Sequence, residues 1–370
     1  TKLLGCVQGG YCINSMSRTQ VFSYTETFRL ESGKTLPGFT LAYTTYGKRL
    51  HNDSNTVWIF HALTANSDAA EWWPGLVGSG KLFDPEVHFI ICVNMPGSPY
   101  GSISPLHPQP EKHTPWLHHF PQFTIKDMVA AYKHLRDALG IRHVAVGIGG
   151  SMGGQQLLQW AAEEPLFFKT IVPIATNAVH SAWGIAYNAT QRMCIEADST
   201  WKEHHPTAGE KGLQAARAVA MLSYRSYHGY AQTQTGFYES DSIVPQLSKA
   251  ESYQRYQAKK LSDRFNAFSY WHLSTSMDLH DLGRYFGSTE AALARIQSKA
   301  VVIGISSDGL FLVEEQKHLA RHIPGAQLVV IDSQFGHDGF LIESEAIRQA
   351  LEGSLGTQTI LSEPLTANES

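Results

Sequence analysis

The chain has 370 residues, 43% hydrophobic and 17% charged, with 29 Lys+Arg against 33 Asp+Glu and a formal net charge of −4. It is long and apolar enough to bury a large core, as one domain with an insertion or as two domains. It is too apolar for a disordered chain and not basic enough to hold a nucleic-acid backbone without a local patch. No uncharged apolar run approaches the roughly 20 residues that span a bilayer. Cys6, Cys12, Cys92 and Cys194 are too few and too scattered for a disulfide framework or a zinc site. A soluble protein of a reducing, cytoplasmic compartment, without a metal, is expected.

Residues 1–19 lack a basic segment followed by a long apolar run, so they do not read as a secretory signal and are set aside as a leader outside the fold. From about Phe22 onward, short apolar runs alternate with amphipathic stretches. Val57–Phe60, His88–Val93, His143–Gly147, Thr170–Ile174, Ala300–Ile305 and Gln327–Ile331 are rich in β-branched residues and bounded by Gly, Pro, Asp or Ser. They read as strands buried on both faces, as in a parallel sheet. Between them, Met128, Ala131, Leu135 and Leu139 recur at helical spacing within Ile125–Leu139. This alternation predicts an α/β fold with a doubly wound, mostly parallel sheet.

The pattern stops after Ile174. Ser181–Ala197, Lys211–Tyr224 and Ser252–Leu273 read as helices, and strands resume only at Ala300. The economical division is a core over 20–180, an inserted helical lid over 181–297, the rest of the core over 298–356 and a polar, flexible tail over 357–370.

The sharpest motif is Gly149-Gly150-Ser151-Met152-Gly153-Gly154, directly after the strand ending at Gly147 and before a helix at Gln155–Ala162. This is G-x-S-x-G in the strand–turn–helix context that exposes a nucleophilic serine on a cramped bend. A serine hydroxyl needs a base, and the chain order in this architecture is serine, acid, histidine. Asp308 follows the strand Ala300–Ile305 and His337 follows Gln327–Ile331, which puts both at the carboxyl edge of the sheet with Ser151. Asp332 and Asp338 are rival acids. The other histidines, including His118-His119 and His204-His205, show no metal-ligand spacing. Two backbone N–H donors must face the developing oxyanion. Met152, next to the nucleophile, supplies one, and the loop His61–Asn66 supplies the other, with Leu63 as the candidate.

Ten stretches carry a family resemblance. They include HALTANSD (61–68), PGSPYGSISP (96–105), GGSMGGQQLLQWA (149–161), SYQRYQAKKLSDRFNAFSYW (252–271), SSDGLF (306–311) and GHDGFLIE (336–343). Together they resemble the homoserine O-acetyltransferase family of α/β-hydrolase-fold acyltransferases, in order, over about residues 22–350. The resemblance implies an α/β-hydrolase fold with a helical lid, a homodimer formed through that lid, and a place in methionine biosynthesis. It implies a ping-pong transfer in which acetyl-CoA, a co-substrate rather than a bound cofactor, acylates Ser151 and the side-chain hydroxyl of L-homoserine takes the acetyl group. It further assigns the acceptor carboxylate to Arg217 and the acceptor ammonium to Asp338, with contacts from Tyr224 and Thr64. Arg225 is a nearby rival to Arg217. Gly97-Ser98-Pro99-Tyr100-Gly101 departs from the family's usual loop and resembles relatives that acylate other hydroxyls. A serine O-acyltransferase or a succinyl-CoA-dependent homoserine acyltransferase is therefore the alternative, and an esterase or thioesterase of the same fold the second.

Overall fold

The computed structural model describes residues 19–239 and 247–355. The expected leader (but for residue 19) and the tail over 357–370 lie outside the described residues. Eight strands form one sheet: β1 Gln20–Tyr24, β2 Phe39–Tyr46, β3 Thr56–Phe60, β4 Phe89–Val93, β5 Val144–Gly150, β6 Phe168–Ile174, β7 Lys299–Ile305 and β8 Gln327–Ile331. Their spatial order is β1-β2-β4-β3-β5-β6-β7-β8. β2 runs antiparallel to both of its neighbours, and the remaining pairs are parallel. The sequence reading does not name β1 or β2. It also reads Gln327–Ile331 as buried on both faces, whereas β8 is the sheet edge and mostly exposed. An edge strand with apolar residues looks the same in sequence as a central one.

β3 pairs with β4 on one side and β5 on the other, so the chain reverses its direction of travel across the sheet at β3. The carboxyl ends of β3 and β5 therefore flank the crevice where open α/β sheets place their ligands. Both faces of the sheet are covered. On one, Trp58 packs edge-on against Trp160 with ring centroids 5.0 Å apart, beside Phe60, Tyr132 and Phe168. On the other, Val57, Ile59, Val146, Ile148, Val172 and Ile303 form a second apolar layer.

The helix α1, Ile125–Ala138, begins at a capping box in which the Thr124 hydroxyl accepts from Asp127 N and the Asp127 carboxylate accepts from Thr124 N. The helix α2, Met152–Glu163, follows β5 and is buried along nearly its whole length. Between β6 and β7 lie α3 Ala182–Glu196, α4 Glu210–Tyr224, α5 Tyr227–Thr233, α6 Lys249–Ser262, α7 Ala267–Asp278 and the short α8 Thr289–Ala294. Ser181, Ser226, Ser248 and Asn266 each cap the helix that follows, their side chains accepting a backbone N–H of its first turn. Asn266 explains a second departure from expectation: Ser252–Leu273 is two helices, broken at residues 263–266, because that cap starts α7 afresh. Past β7, α9 spans Val313–His322 and α10 spans Ser344–Leu355. Among the described residues no helix is long and apolar enough to cross a membrane.

Candidate active site

Ser151 is the single residue between β5 and α2. Its backbone sits at φ 56°, ψ −127°, a conformation that costs a side-chain-bearing residue about 1–3 kcal/mol and persists only where the surroundings enforce it. They do so here. Ser151 N donates to Ile174 O (2.9 Å), and the Thr176 hydroxyl donates to Ser151 O (2.7 Å). Gly153 allows the bend: a Cβ there would stand 2.1 Å from Phe60 O, so no larger residue lets α2 begin against the end of β3.

Asp308 lies just past β7. Its Oδ1 accepts from Leu310 N (2.8 Å) and Phe311 N (2.9 Å), and its Oδ2 is 2.7 Å from His337 Nδ1. An ionised carboxylate only accepts, so Nδ1 carries the proton and Nε2 is the nitrogen left for the cavity. Burial alone would depress the His337 pKa, but the charge and hydrogen bond of Asp308 outweigh it and lift the ring above the ordinary histidine value, with smaller help from Asp338 and Glu315. The rival acids are engaged elsewhere: Asp332 accepts from Ser306 Oγ (2.9 Å), and Asp338 Oδ2 lies 3.1 Å from Arg225 Nε.

The His337 ring is clamped by Phe311 (centroids 5.1 Å, stacked), Phe340 (5.3 Å) and Tyr224 (5.9 Å). Its loop is also pressed against the end of α4. Gly336 has φ +68°, and a Cβ on it would meet Ser226 N at 2.7 Å, while Ser226 Oγ donates to Gln334 O.

The loop after β3 is held by His61. Its Nδ1 donates to Ala62 O (2.9 Å) and its Nε2 accepts from Met95 N (3.1 Å). Complete burial pushes its pKa down to about 4, so the ring is neutral and serves as a brace. Gln156 of α2 ties this loop to the serine bend: its amide donates to Met152 O (3.1 Å) and His61 O (3.4 Å), while its Oε1 accepts from Tyr132 (2.8 Å). Among the described residues, neither Leu63 N–H nor Met152 N–H has an acceptor. That is the condition for two donors kept for a transient oxyanion.

One cavity of about 320 Å³ gathers Leu63, Thr64, Ser151, Arg217, Tyr224, His337 and Asp338. Of the residues given a role in sequence, Asp308 and Met152 do not line it; both are buried, Asp308 behind His337 and Met152 at the start of α2. Arg217 lies over the Tyr224 ring (5.3 Å to the centroid), with its Nε buried and without a hydrogen-bond partner among the described residues. Arg225 does not line the cavity; it pairs with Asp338 instead. Burial raises the Asp338 pKa, and the guanidinium groups of Arg225 and then Arg217 oppose that rise. Thr64 O accepts from Arg264 Nη1 at 2.5 Å.

Four cavity or near-cavity charges escaped the sequence reading, Glu71 among them. Lys260 and Arg264 line the cavity from α6 and the turn after it. Glu315, in the first turn of α9, accepts from Asn177 Nδ2 (3.0 Å), and burial with the nearby Asp308 charge raises its pKa to about 7. A charged side chain on a polar helix face gives no signal in sequence that it turns inward. A larger cavity, about 590 Å³ between Phe120, Trp201, Phe268 and Trp271, contains none of the site residues. Among the described residues no cluster of three or more His, Cys, Asp or Glu could hold a metal.

Comparison with known proteins adds three findings. A family model described as the alpha/beta hydrolase fold matches residues 55–344. The homoserine O-acetyltransferase of Cyclobacterium marinum is 43% identical over 333 residues, covering 90% of this chain and 94% of that one. Among solved structures, homoserine O-acetyltransferase from Bacillus anthracis superposes with a TM-score of 0.84 at 22% identity over 92% of this chain and 98% of that one, and esterase E22 with 0.80 at 24% over 91% and 100%. Below 25% identity, those two structures speak for the fold alone.

Proposed function

The chain belongs to the homoserine O-acetyltransferase family of the α/β-hydrolase fold, and from that premise we propose that it transfers an acetyl group from acetyl-CoA to the side-chain hydroxyl of L-homoserine, a step of methionine biosynthesis in the cytoplasm. The observation that carries the reading is that Arg217 and Asp338 line the same cavity as Ser151 and His337. A zwitterionic acceptor presents a carboxylate and an ammonium, and a cation and an anion beside the nucleophile fix where its hydroxyl lies, which raises its effective concentration over water. An esterase has no need of that pair.

On this reading the transfer runs in two halves. His337 Nε2 takes the Ser151 Oγ proton as Oγ attacks the thioester carbonyl, and Asp308 holds the ring and stabilises the imidazolium. The N–H groups of Leu63 and Met152 receive the oxyanion. The tetrahedral species collapses, the C–S bond breaks and the proton on Nε2 goes to the departing thiolate. The acceptor hydroxyl then gives its proton to Nε2 and attacks the acyl-serine; Ser151 leaves with that proton returned. No resident cofactor enters.

Exposed Trp183 and Met193 on α3 support a homodimer contact on the inserted helices. Sedimentation of the protein and of a Met193→Asp variant tests it: dimer for the first, monomer for the second.

The activity is tested by thiol release from acetyl-CoA. Release that depends on homoserine supports the reading, equal release without acceptor makes the protein a thioesterase, and preference for serine or for succinyl-CoA transfers the assignment to those substrates.

A further inference from the structure

Besides His337, five charged side chains line the active cavity: Glu71, Arg217, Lys260, Arg264 and Asp338. Their pairing is lopsided. Asp338 is matched by Arg225 from behind, and Glu71 is held by the Asn66 amide (3.1 Å). None of Arg217, Lys260 and Arg264 has a carboxylate within 4.0 Å among the described residues. Neighbouring cations are treated differently: Lys259 pairs with Asp263 and Arg255 with Glu251, both on the outer face of α6. Depth separates the three as well. Arg217 is partly buried, its Nε wholly so, whereas Lys260 and Arg264 are exposed where the cavity opens to solvent.

Two unpaired cations at an opening call for a ligand with anionic groups far from its reacting atom. The acetyl acceptor does not fit, since its single carboxylate has to lie close to its hydroxyl. An acyl-CoA fits: its thioester stands at the end of a long uncharged arm and its phosphates at the other. A guanidinium and an ammonium are the side chains that take phosphate oxygens.

We propose that Lys260 and Arg264 form the phosphate-recognition site of the acyl donor, holding the nucleotide end of an acyl-CoA at the mouth while its thioester reaches Ser151. This rests on the acyl-CoA reading given above. Arg264 is the fixed member, with its guanidinium anchored on Thr64 O and the Tyr100 hydroxyl. Lys260 lies near the Tyr256 ring (5.9 Å) and has no such hydrogen-bonded anchor among the described residues.

The experiment compares two donors, acetyl-CoA and S-acetyl-N-acetylcysteamine, which share the thioester but not the phosphates, at saturating homoserine. The readout is the ratio of their kcat/KM values, and it is insensitive to partial misfolding because both donors share the active fraction. Lys260 is the residue to change, since Arg264 also braces the loop that carries Leu63. Lys260→Glu lowers the ratio about tenfold or more, Lys260→Arg keeps it within about twofold, and added salt lowers it in the wild type more than in Lys260→Glu. A ratio unchanged in Lys260→Glu overturns the site while leaving the transferase reading standing. A wild type that releases no thiol from acetyl-CoA overturns the donor reading itself and this site with it.

Discussion

The sheet edge and the inserted helices contribute to one cavity in different ways. From the sheet come Ser151, Asp308 and His337, each within a few residues of a strand end, each almost wholly buried, each fixed by backbone hydrogen bonds or ring packing. From the helices and the turns after them come Arg217, Tyr224, Lys260 and Arg264, which are charged or polar, more exposed, and held mainly through side chains. In the proposed reading the first set attacks and releases the acyl group, and the second set holds the acceptor and the acyl donor.

That division can be broken at its strong end first. Ser151→Ala removes the nucleophile, and thiol release is expected to fall by about 10⁴-fold or more with homoserine binding retained by calorimetry. Asp308→Asn is expected to cost about 10³–10⁴-fold in kcat. It also sharpens a pH argument. His337 must be neutral to act as base, and its pKa is raised above the ordinary 6.5, so kcat/KM for the donor falls as pH drops through a midpoint above 6.5. Without the Asp308 charge and hydrogen bond, burial is opposed only by the smaller effects of Asp338 and Glu315, and the midpoint moves downward; an unmoved midpoint would assign the acid limb to another group.

Arg217→Ala tests the helical side. The acceptor KM is expected to rise about 10–100-fold, the worth of one charge-assisted contact, while the burst of acyl-enzyme formed without acceptor changes by no more than a few-fold. Equal loss in both would place Arg217 in the chemistry of the sheet. The smallest effect is on stability. Glu315 has its pKa raised from 4.5 to about 7, so between those values the folded chain keeps a proton that the unfolded chain has released, and stability declines as pH rises through the window. Glu315→Gln is expected to be more stable than the parent at pH 8 and equal to it at pH 4, read from denaturant midpoints.

The two regions were also unequally legible in sequence. β3 to β7 announce themselves as continuous β-branched runs, and the serine bend has a spacing that sterics impose. The pairing of Asp308 with His337 follows from their placement after consecutive strands. β1 and β2 were not named: β1 is a half-exposed edge strand, and the buried β2 is interrupted by Thr40, Thr44 and Thr45, so neither shows a continuous apolar run. The break at Asn266 was hidden because helical periodicity continues on both sides of it, and only the cap reveals it. Arg217, Tyr224, Thr64 and Asp338 were reached through family resemblance. The inward turn of Lys260 and Arg264 is a tertiary fact, decided by how α6 packs on α4, and residue type alone carries no trace of it.

The contact between Gly336 and Ser226 has a mechanical meaning. If the cap swung away at this corner to admit substrate, it would pull Ser226 off Gln334 and drag the backbone beside His337, loosening the imidazole from its carboxylate at the moment it is needed. The corner thus couples the end of α4 to the histidine loop, so that a displacement of either is passed to the other.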